Sequence, residues 1–281
     1  MAPKLHFISG LPRSGSTLLA GILRQNPRFH AAMTSPVAGM VQALLNTFSP
    51  TNETAIFVDE ARRRDILRAT IDAYYAPQSD REVVFDTNRI WCARLPLLRA
   101  LYPQARVICC VRDVAWIMDS FERLVRRNAF EPSRLFATPE ERATVFSRTE
   151  VLAHRDRVVG FAWSALKEAY YSELSDMLLL VEYDILCQKP EAALRLIYDW
   201  LGEPWFAHDF DAVDYDEPEF DRQLGAPGLH AVKRKVAWEP RPTVLPPDVF
   251  AKFTPLGFWR EGKGSAAYRI TQREAPPAEP R

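Results

Sequence analysis

The stretch Phe7-Ile8-Ser9-Gly10-Leu11-Pro12-Arg13-Ser14-Gly15-Ser16-Thr17-Leu18-Leu19 decides how the rest of the chain is read. Leu5 to Ile8 read as a short buried strand, and Leu18, Leu19, Ile22 and Leu23 fall on one stripe of a helix. The link between them has the form G-x-x-x-x-G-S-T. A glycine-bearing turn from strand into helix aims several backbone N–H groups, and the positive helix end, at one place. That makes an anion cradle. The form is a Walker A loop with one change: Ser16 stands where that loop carries its phosphate-clamping Lys, and Arg13 is the cation that remains.

Working outward, Val83-Val84-Phe85 is a compact apolar strand that ends at Asp86-Thr87-Asn88-Arg89. Val107-Ile108-Cys109-Cys110-Val111 shows no polar alternation, as expected where helices cover both faces of a parallel sheet. Arg112-Asp113 end that strand. Val114, Ile117, Met118, Phe121, Leu124 and Val125 then recur three and four apart, which predicts a helix with Ser120 at the edge of its buried stripe. Phe29 to Met33 and Met177 to Val181 read as further strands. Helices are expected after Ser35-Pro36, over Asp59 to Tyr75, and over Trp91 to Leu101 with a kink or restart at Pro96. Another helical stretch opens at Thr138-Pro139-Glu140-Glu141 and runs to about Leu174, with Gly160 a break or a close-packing point. The last well-marked helix, Glu191 to Leu201, lies between Pro190 and Gly202.

From Glu203 onward the chain is rich in Pro, Asp and aromatic residues without periodicity, and it carries a basic run, His230-Ala231-Val232-Lys233-Arg234-Lys235. Strands alternating with helices predict an α/β fold: a three-layer, doubly wound parallel sheet, P-loop-like, with a helical insertion and an irregular C-terminal wrap. A single domain is expected over residues 1–270, followed by a mobile tail over 271–281.

Composition narrows the class. Of 281 residues, 47% are apolar and 26% charged, the balance of a soluble globular protein. Thirty-six basic and thirty-six acidic residues cancel, so broad electrostatic binding to nucleic acid is not expected. Cys92, Cys109, Cys110 and Cys187 lack metal-ligand spacing and read as buried thiols; no metal site is expected. No apolar run approaches a membrane span, and the first strand begins by Leu5, leaving no room for a signal peptide. The expectation is a soluble cytoplasmic protein.

Ligands in parallel sheets sit at the carboxyl ends of strands. Three polar clusters follow strands directly: the Gly10–Thr17 loop, Asp86 to Arg89, and Arg112-Asp113 leading to Ser120. Two cationic strand ends beside an anion cradle imply a ligand with more than one phosphate-like group. At these residues the chain resembles the sulfotransferases that use 3′-phosphoadenosine-5′-phosphosulfate (PAPS). Gly10-Leu11-Pro12-Arg13-Ser14-Gly15-Ser16-Thr17-Leu18 is similar to that family's 5′-phosphosulfate loop. Val107 to Asp113, with Ser120 eight residues after Arg112, is similar to its 3′-phosphate motif, and Val181-Glu182-Tyr183-Asp184 resembles its V-x-Y-E-x-L segment.

The resemblance covers residues 5 to about 202. It implies transfer of a sulfuryl group from PAPS to a hydroxyl or amine on a small-molecule, peptide or glycan acceptor, with release of adenosine 3′,5′-bisphosphate. Arg13, Ser14, Gly15, Ser16 and Thr17 would bind the phosphosulfate. Arg112 and Ser120 would bind the 3′-phosphate, Tyr183 belongs to the same cofactor site, and Lys233 or Arg234 would close it. A sulfuryl group carries one negative charge fewer than a phosphoryl group, so backbone donors and one or two cations can suffice without a metal. Walker-type phosphoryl transfer needs the loop Lys and an Asp that helps to hold magnesium; here a degenerate P-loop kinase or NTPase, and a non-catalytic nucleotide-binding module, are the competing readings.

The chain departs from its relatives at the catalytic base. Tyrosylprotein sulfotransferases place a Glu where this chain has Met33-Thr34-Ser35-Pro36, and cytosolic ones place Lys-Thr-His where it has Asp86-Thr87-Asn88-Arg89. Asp86 is therefore the expected base and Arg89 the stabiliser of charge on the transferred group, with His30 and then His230 in reserve.

Overall fold

The computed structural model describes residues 3–130 and 133–272. At its centre are six parallel strands: β1 (Lys4–Gly10), β2 (Phe29–Ala31), β3 (Val83–Thr87), β4 (Val107–Val111), β5 (Leu178–Glu182) and β6 (Tyr268–Ile270). They lie in the order β2-β3-β1-β4-β5-β6. The helices are α1 (Ser16–Leu23), α2 (Val37–Thr47), α3 (Glu60–Tyr75), α4 (Leu95–Leu101), α5 (Val114–Arg127), α6 (Pro139–Ala143), α7 (Val145–Ala153), α8 (Val158–Tyr171), α9 (Tyr183–Gln188), α10 (Pro190–Leu201), α11 (Pro218–Gln223) and α12 (Pro247–Phe253).

β4 is apolar throughout, and β3 and β5 are apolar up to their last residues, because both faces are covered. Ile8, Phe85, Ile108, Cys110, Leu179 and Val181 pack with α1 and α10. Their strand neighbours Phe7, Val84, Val107, Cys109, Leu178 and Leu180 face the other way, onto a layer that includes α2, α3, α4 and α8. Side chains alternate across a strand, so Cys109 and Cys110 end in different cores. The three-layer α/β fold stands as the sequence predicts.

Two details differ. β6 is absent from the sequence reading: three residues carry no periodic signal, and Tyr268-Arg269-Ile270 is a strand only because it pairs with β5. The stretch after Thr138 is three helices, interrupted at Thr144 and between His154 and Arg157. Gly160 is instead a close-packing point, since a Cβ there would stand 2.2 Å from the carbonyl oxygens of Ala153 and His154. Of the expected tail, the Gln272 N–H is tied to Glu182 Oε2 at 2.8 Å; residues 273–281 lie outside the described residues.

β1 has β3 on one side and β4 on the other, so the chain crosses over β1 between them. The loops leaving β1 and β4 part company there, and such a switch point is where open α/β sheets form a ligand crevice. α5 packs against α7 and α12. Its buried Asp119 holds the C-terminal wrap, accepting from Arg123 Nε (2.9 Å), Arg241 Nη2 (2.7 Å), the Val244 N–H (2.8 Å) and Thr243 Oγ1 (3.1 Å). That fastening brings the wrap beside the crevice.

Candidate active site

The crevice opens as a cavity of ≈ 890 Å³ lined by the β1–α1 loop, Arg112, Ser120, Tyr183 and the C-terminal wrap. Gly10 and Gly15 hold φ of 101° and 94°, a region that only glycine enters at little cost. A Cβ at Gly10 would lie 2.3 Å from the Cys110 carbonyl oxygen, so the loop rests directly on β4. Ser14 fastens it further, its buried hydroxyl bonded to the carbonyls of Leu11 and Cys110 (2.8 Å to the latter). Gly15 caps α1 without a side chain, so the first N–H groups of that helix are left for a ligand.

Arg13 takes a left-handed backbone (φ 58°), uncommon for a residue with a side chain. Its Nε donates to Ser120 Oγ at 3.0 Å, which joins the loop to α5. The two halves of the expected cofactor site therefore touch. Burial, and next the charge of Arg112, pull the Arg13 pKa down to about 10. A buried guanidinium whose charge is disfavoured by a second cation marks a place where an anion is wanted.

Arg112 stacks over the Tyr183 ring with its Cζ 4.3 Å from the ring centroid. Its buried Nε has no partner among the described residues. Two carboxylates beside it are engaged elsewhere: Asp113 caps α5 through the Ala115 N–H (2.9 Å), and Arg260 takes both Asp113 (3.4 Å) and the fully buried Glu182 (2.5 Å). A strand-end pair between Arg112 and Asp113 does not form. Tyr183 also meets the loop, since a Cβ on Gly15 would come within 2.8 Å of its ring, and burial raises its hydroxyl pKa to about 12.

The wrap contributes His230. Its Nδ1 lies 2.6 Å from Oδ1 of Asp221, a residue of α11 with 0% exposure, and its backbone N–H donates to Oδ2 of the same carboxylate at 2.8 Å. A carboxylate accepts only, so Nδ1 carries the proton and Nε2 keeps its lone pair. Nε2 has no protein partner among the described residues, and the ring lines the cavity. Burial lowers the His230 pKa, Asp221 raises it, and Arg13 and Arg89 lower it again. The net shift is downward, which favours the neutral imidazole.

An anion loop at a sheet switch point, a second cationic strand end and a carboxylate-held imidazole thus share one cavity. The family model described as Sulfotransferase family matches residues 6–207. The chain belongs to the sulfotransferase family. Among relatives, the protein-tyrosine sulfotransferase 1 of Danio rerio is 25% identical over 240 residues, covering 82% of this chain and 60% of that protein. The nodulation protein NoeE of Sinorhizobium fredii is 31% identical over 220 residues, 71% of this chain and 50% of its own length. The chain thus spans roughly half of the curated relatives it matches. In fold it is similar to the sulfotransferase domain from the curacin biosynthetic pathway, with a TM-score of 0.52 at 16% identity, covering 91% of this chain and 97% of that one.

Within this sulfotransferase-family chain the expected site residues divide. Arg13, Gly15, Ser16, Thr17, Arg112, Ser120, Tyr183, Arg89 and Lys233 line the cavity. The Ser14 side chain does not, because both its bonds go to the fold. Lys233 is exposed and paired with Glu239 at 2.5 Å. Arg234 is exposed and does not line the cavity; its backbone carbonyl instead accepts from the Val213 N–H at 2.8 Å. His30 also stays outside, packed edge-on to Tyr75 at 5.9 Å.

The largest correction is Asp86. It shares the strand face of Val84, two residues earlier, and so points into the helix layer that holds α3. There, 1% exposed, it accepts from Ser35 Oγ, Tyr75 OH and Trp91 Nε1 (2.6 Å for the last). Burial pushes its pKa up against the pull of those donors. Asp86 is thus buried, bonded to three donors and absent from the cavity lining. Asp86→Asn turns an acceptor into a donor facing donors, so thermal unfolding should show a loss of about 1–3 kcal/mol of stability. Turnover at a temperature where the variant is folded should be nearly unchanged; a collapse of turnover alone would restore Asp86 as a base.

No local sequence pattern ties Asp221 to His230. The usable signal was weaker: a histidine inside the basic run, nine residues after an aspartate.

Proposed function

We propose that the chain transfers the sulfuryl group of PAPS to a hydroxyl or amine acceptor and releases adenosine 3′,5′-bisphosphate. The observation that carries this is the pair Arg13 and Arg112, which line one glycine-loop cavity with neither ion-paired to a carboxylate among the described residues and the Arg112 Nε left without a partner. The loop N–H groups and Arg13 suit the phosphosulfate. Arg112, held flat by Tyr183, and Ser120 suit the 3′-phosphate, because a guanidinium binds an oxyanion through paired, charge-assisted bonds.

PAPS brings a sulfuryl group already activated as a mixed anhydride. As the acceptor atom bonds to sulfur, the bond from sulfur to the bridging phosphate oxygen breaks and that oxygen keeps the electron pair. The acceptor's proton passes to His230 Nε2, and Asp221 stabilises the imidazolium that forms. Arg13 and the amide groups of the α1 N-terminus face the charge that grows on the leaving side.

Calorimetry tests the reading. Adenosine 3′,5′-bisphosphate should bind without magnesium, whereas a preference for ATP with magnesium would support a kinase. Transfer should also persist in excess EDTA, because Ser16 replaces the loop Lys and Arg112 stands where a magnesium-holding Asp would end the strand. Activity lost in EDTA and restored by magnesium would overturn that expectation.

A further inference from the structure

Past the groups already assigned, the cavity has a wall of mixed character. Leu135, Phe161, Leu224 and Leu229 make it apolar, while Arg89, Arg127 and Arg134 place guanidinium groups along it. Arg127 lies seven residues beyond Ser120 on α5, two turns or about 10 Å farther along. The end of α5 is sewn to the segment that carries His230: Asn128 Nδ2 donates to the Pro227 carbonyl (3.1 Å), and the Arg134 N–H donates to that of Leu224 (3.2 Å). Arg127 Nη1 sits beside Gly228, 3.6 Å from where a Cβ would stand. Arg127 and Arg134 therefore stand beside the segment that carries the imidazole.

Among the described residues, the acids around this wall already have partners. Asp156 lies against His154, Glu141 holds Arg157 at 2.6 Å, and Glu239 holds Lys233. Among the described residues none of Arg89, Arg127 and Arg134 is paired with a carboxylate. The two anionic groups of the donor have the loop, Arg13, Arg112 and Ser120. Positive charge is left over at these exposed side chains, and neighbouring like charges repel unless an anion joins them. The apolar side chains between them fit the body of a ligand and not a second run of phosphates.

We propose that the acceptor is an anionic amphiphile: a hydroxyl-bearing molecule whose apolar body lies on Leu135, Phe161, Leu224 and Leu229, and whose carboxylate or phosphate is held by Arg127 and Arg134. The inference rests on reading the cavity as a sulfuryl-transfer site. Arg89 adds to the same field nearer to His230.

The test uses acceptors that differ only in charge, measured by calorimetry with adenosine 3′,5′-bisphosphate present. 10-Hydroxydecanoate should bind about 10-fold or more tightly than 10-hydroxydecanamide, and 3-(4-hydroxyphenyl)propionate should exceed its amide likewise. 10-Hydroxydecyl phosphate decides the anion: binding tighter than the carboxylate assigns phosphate, and weaker binding assigns carboxylate. The double variant Arg127→Gln/Arg134→Gln, both exposed positions, should lose that preference while bisphosphate affinity and the unfolding temperature stay the same. Each single variant should lose part of it. Equal binding of acid and amide, no binding of any acid, or an acid preference that survives the double substitution would overturn the proposal. Turnover is read separately: acid-selective binding without sulfuryl transfer would sink the proposed reaction and leave the anion pocket standing.

Discussion

His230→Gln should lower turnover by about 10²-fold or more and leave adenosine 3′,5′-bisphosphate affinity intact, the signature of a lost general base. Glutamine keeps polar atoms near Asp221, so the wrap should stay in place. Asp221→Asn should fall between the variant and the parent chain, because an amide no longer fixes the imidazole with its proton on Nδ1. The pH dependence carries a sign. Burial and the charges of Arg13 and Arg89 hold the His230 pKa below the ordinary histidine value, so the neutral, active form persists as pH falls. The acid limb of kcat/KM for the donor, which reports the free enzyme, should therefore lie below that value. Anions bound at Arg13 offset part of the lowering charge, so the acid limb of kcat should lie at higher pH than that of kcat/KM. Identical limbs, or turnover that survives His230→Gln, would remove His230 as the base.

Arg112→Ala should weaken bisphosphate binding by about 1.5–3 kcal/mol, the worth of a charged hydrogen bond, which is about 10- to 150-fold in Kd. The side chain is held for that task by the Tyr183 ring at 4.3 Å, and Arg260 keeps Asp113 and Glu182 from neutralising it. Arg112→Lys should recover little, since an ammonium neither stacks on the ring as a plane nor presents paired donors. Ser120→Ala should cost less, about 1 kcal/mol, although it also frees Arg13 Nε from its 3.0 Å bond. Calorimetry on folded variants reads all three. Unchanged affinity in Arg112→Ala would take away the phosphate site at β4.

Local pattern made much of this chain legible. The glycines at 10 and 15, the apolar β4 and the helical spacing after Arg112 each act within a few residues, and backbone geometry converts such spacings directly into strand, loop and helix. That was enough for the α/β class, for Cys109 and Cys110 on opposite faces, and for Arg13, Arg112 and Ser120 as cavity residues. Asp86 shows the limit. A carboxylate at a strand end beside the cradle reads as catalytic, yet the strand period points it at Ser35, Tyr75 and Trp91, and only the packed α2 and α3 layers reveal that those donors meet there. β6 likewise exists through its pairing with β5 alone.

The sequence by itself determined five of the six strands and the glycine loop between β1 and α1, because each is set by residues adjacent along the chain. Tertiary structure decided which residues stand as the proposed base and the proposed acceptor wall. Asp221 and His230 form a pair because α11 and the wrap fold back on one another, and they face the cavity because Asp119, on α5, fastens that wrap from 125 residues away in sequence. No local propensity encodes a contact of that range; it forms only when the burial of the whole core has brought the segments together.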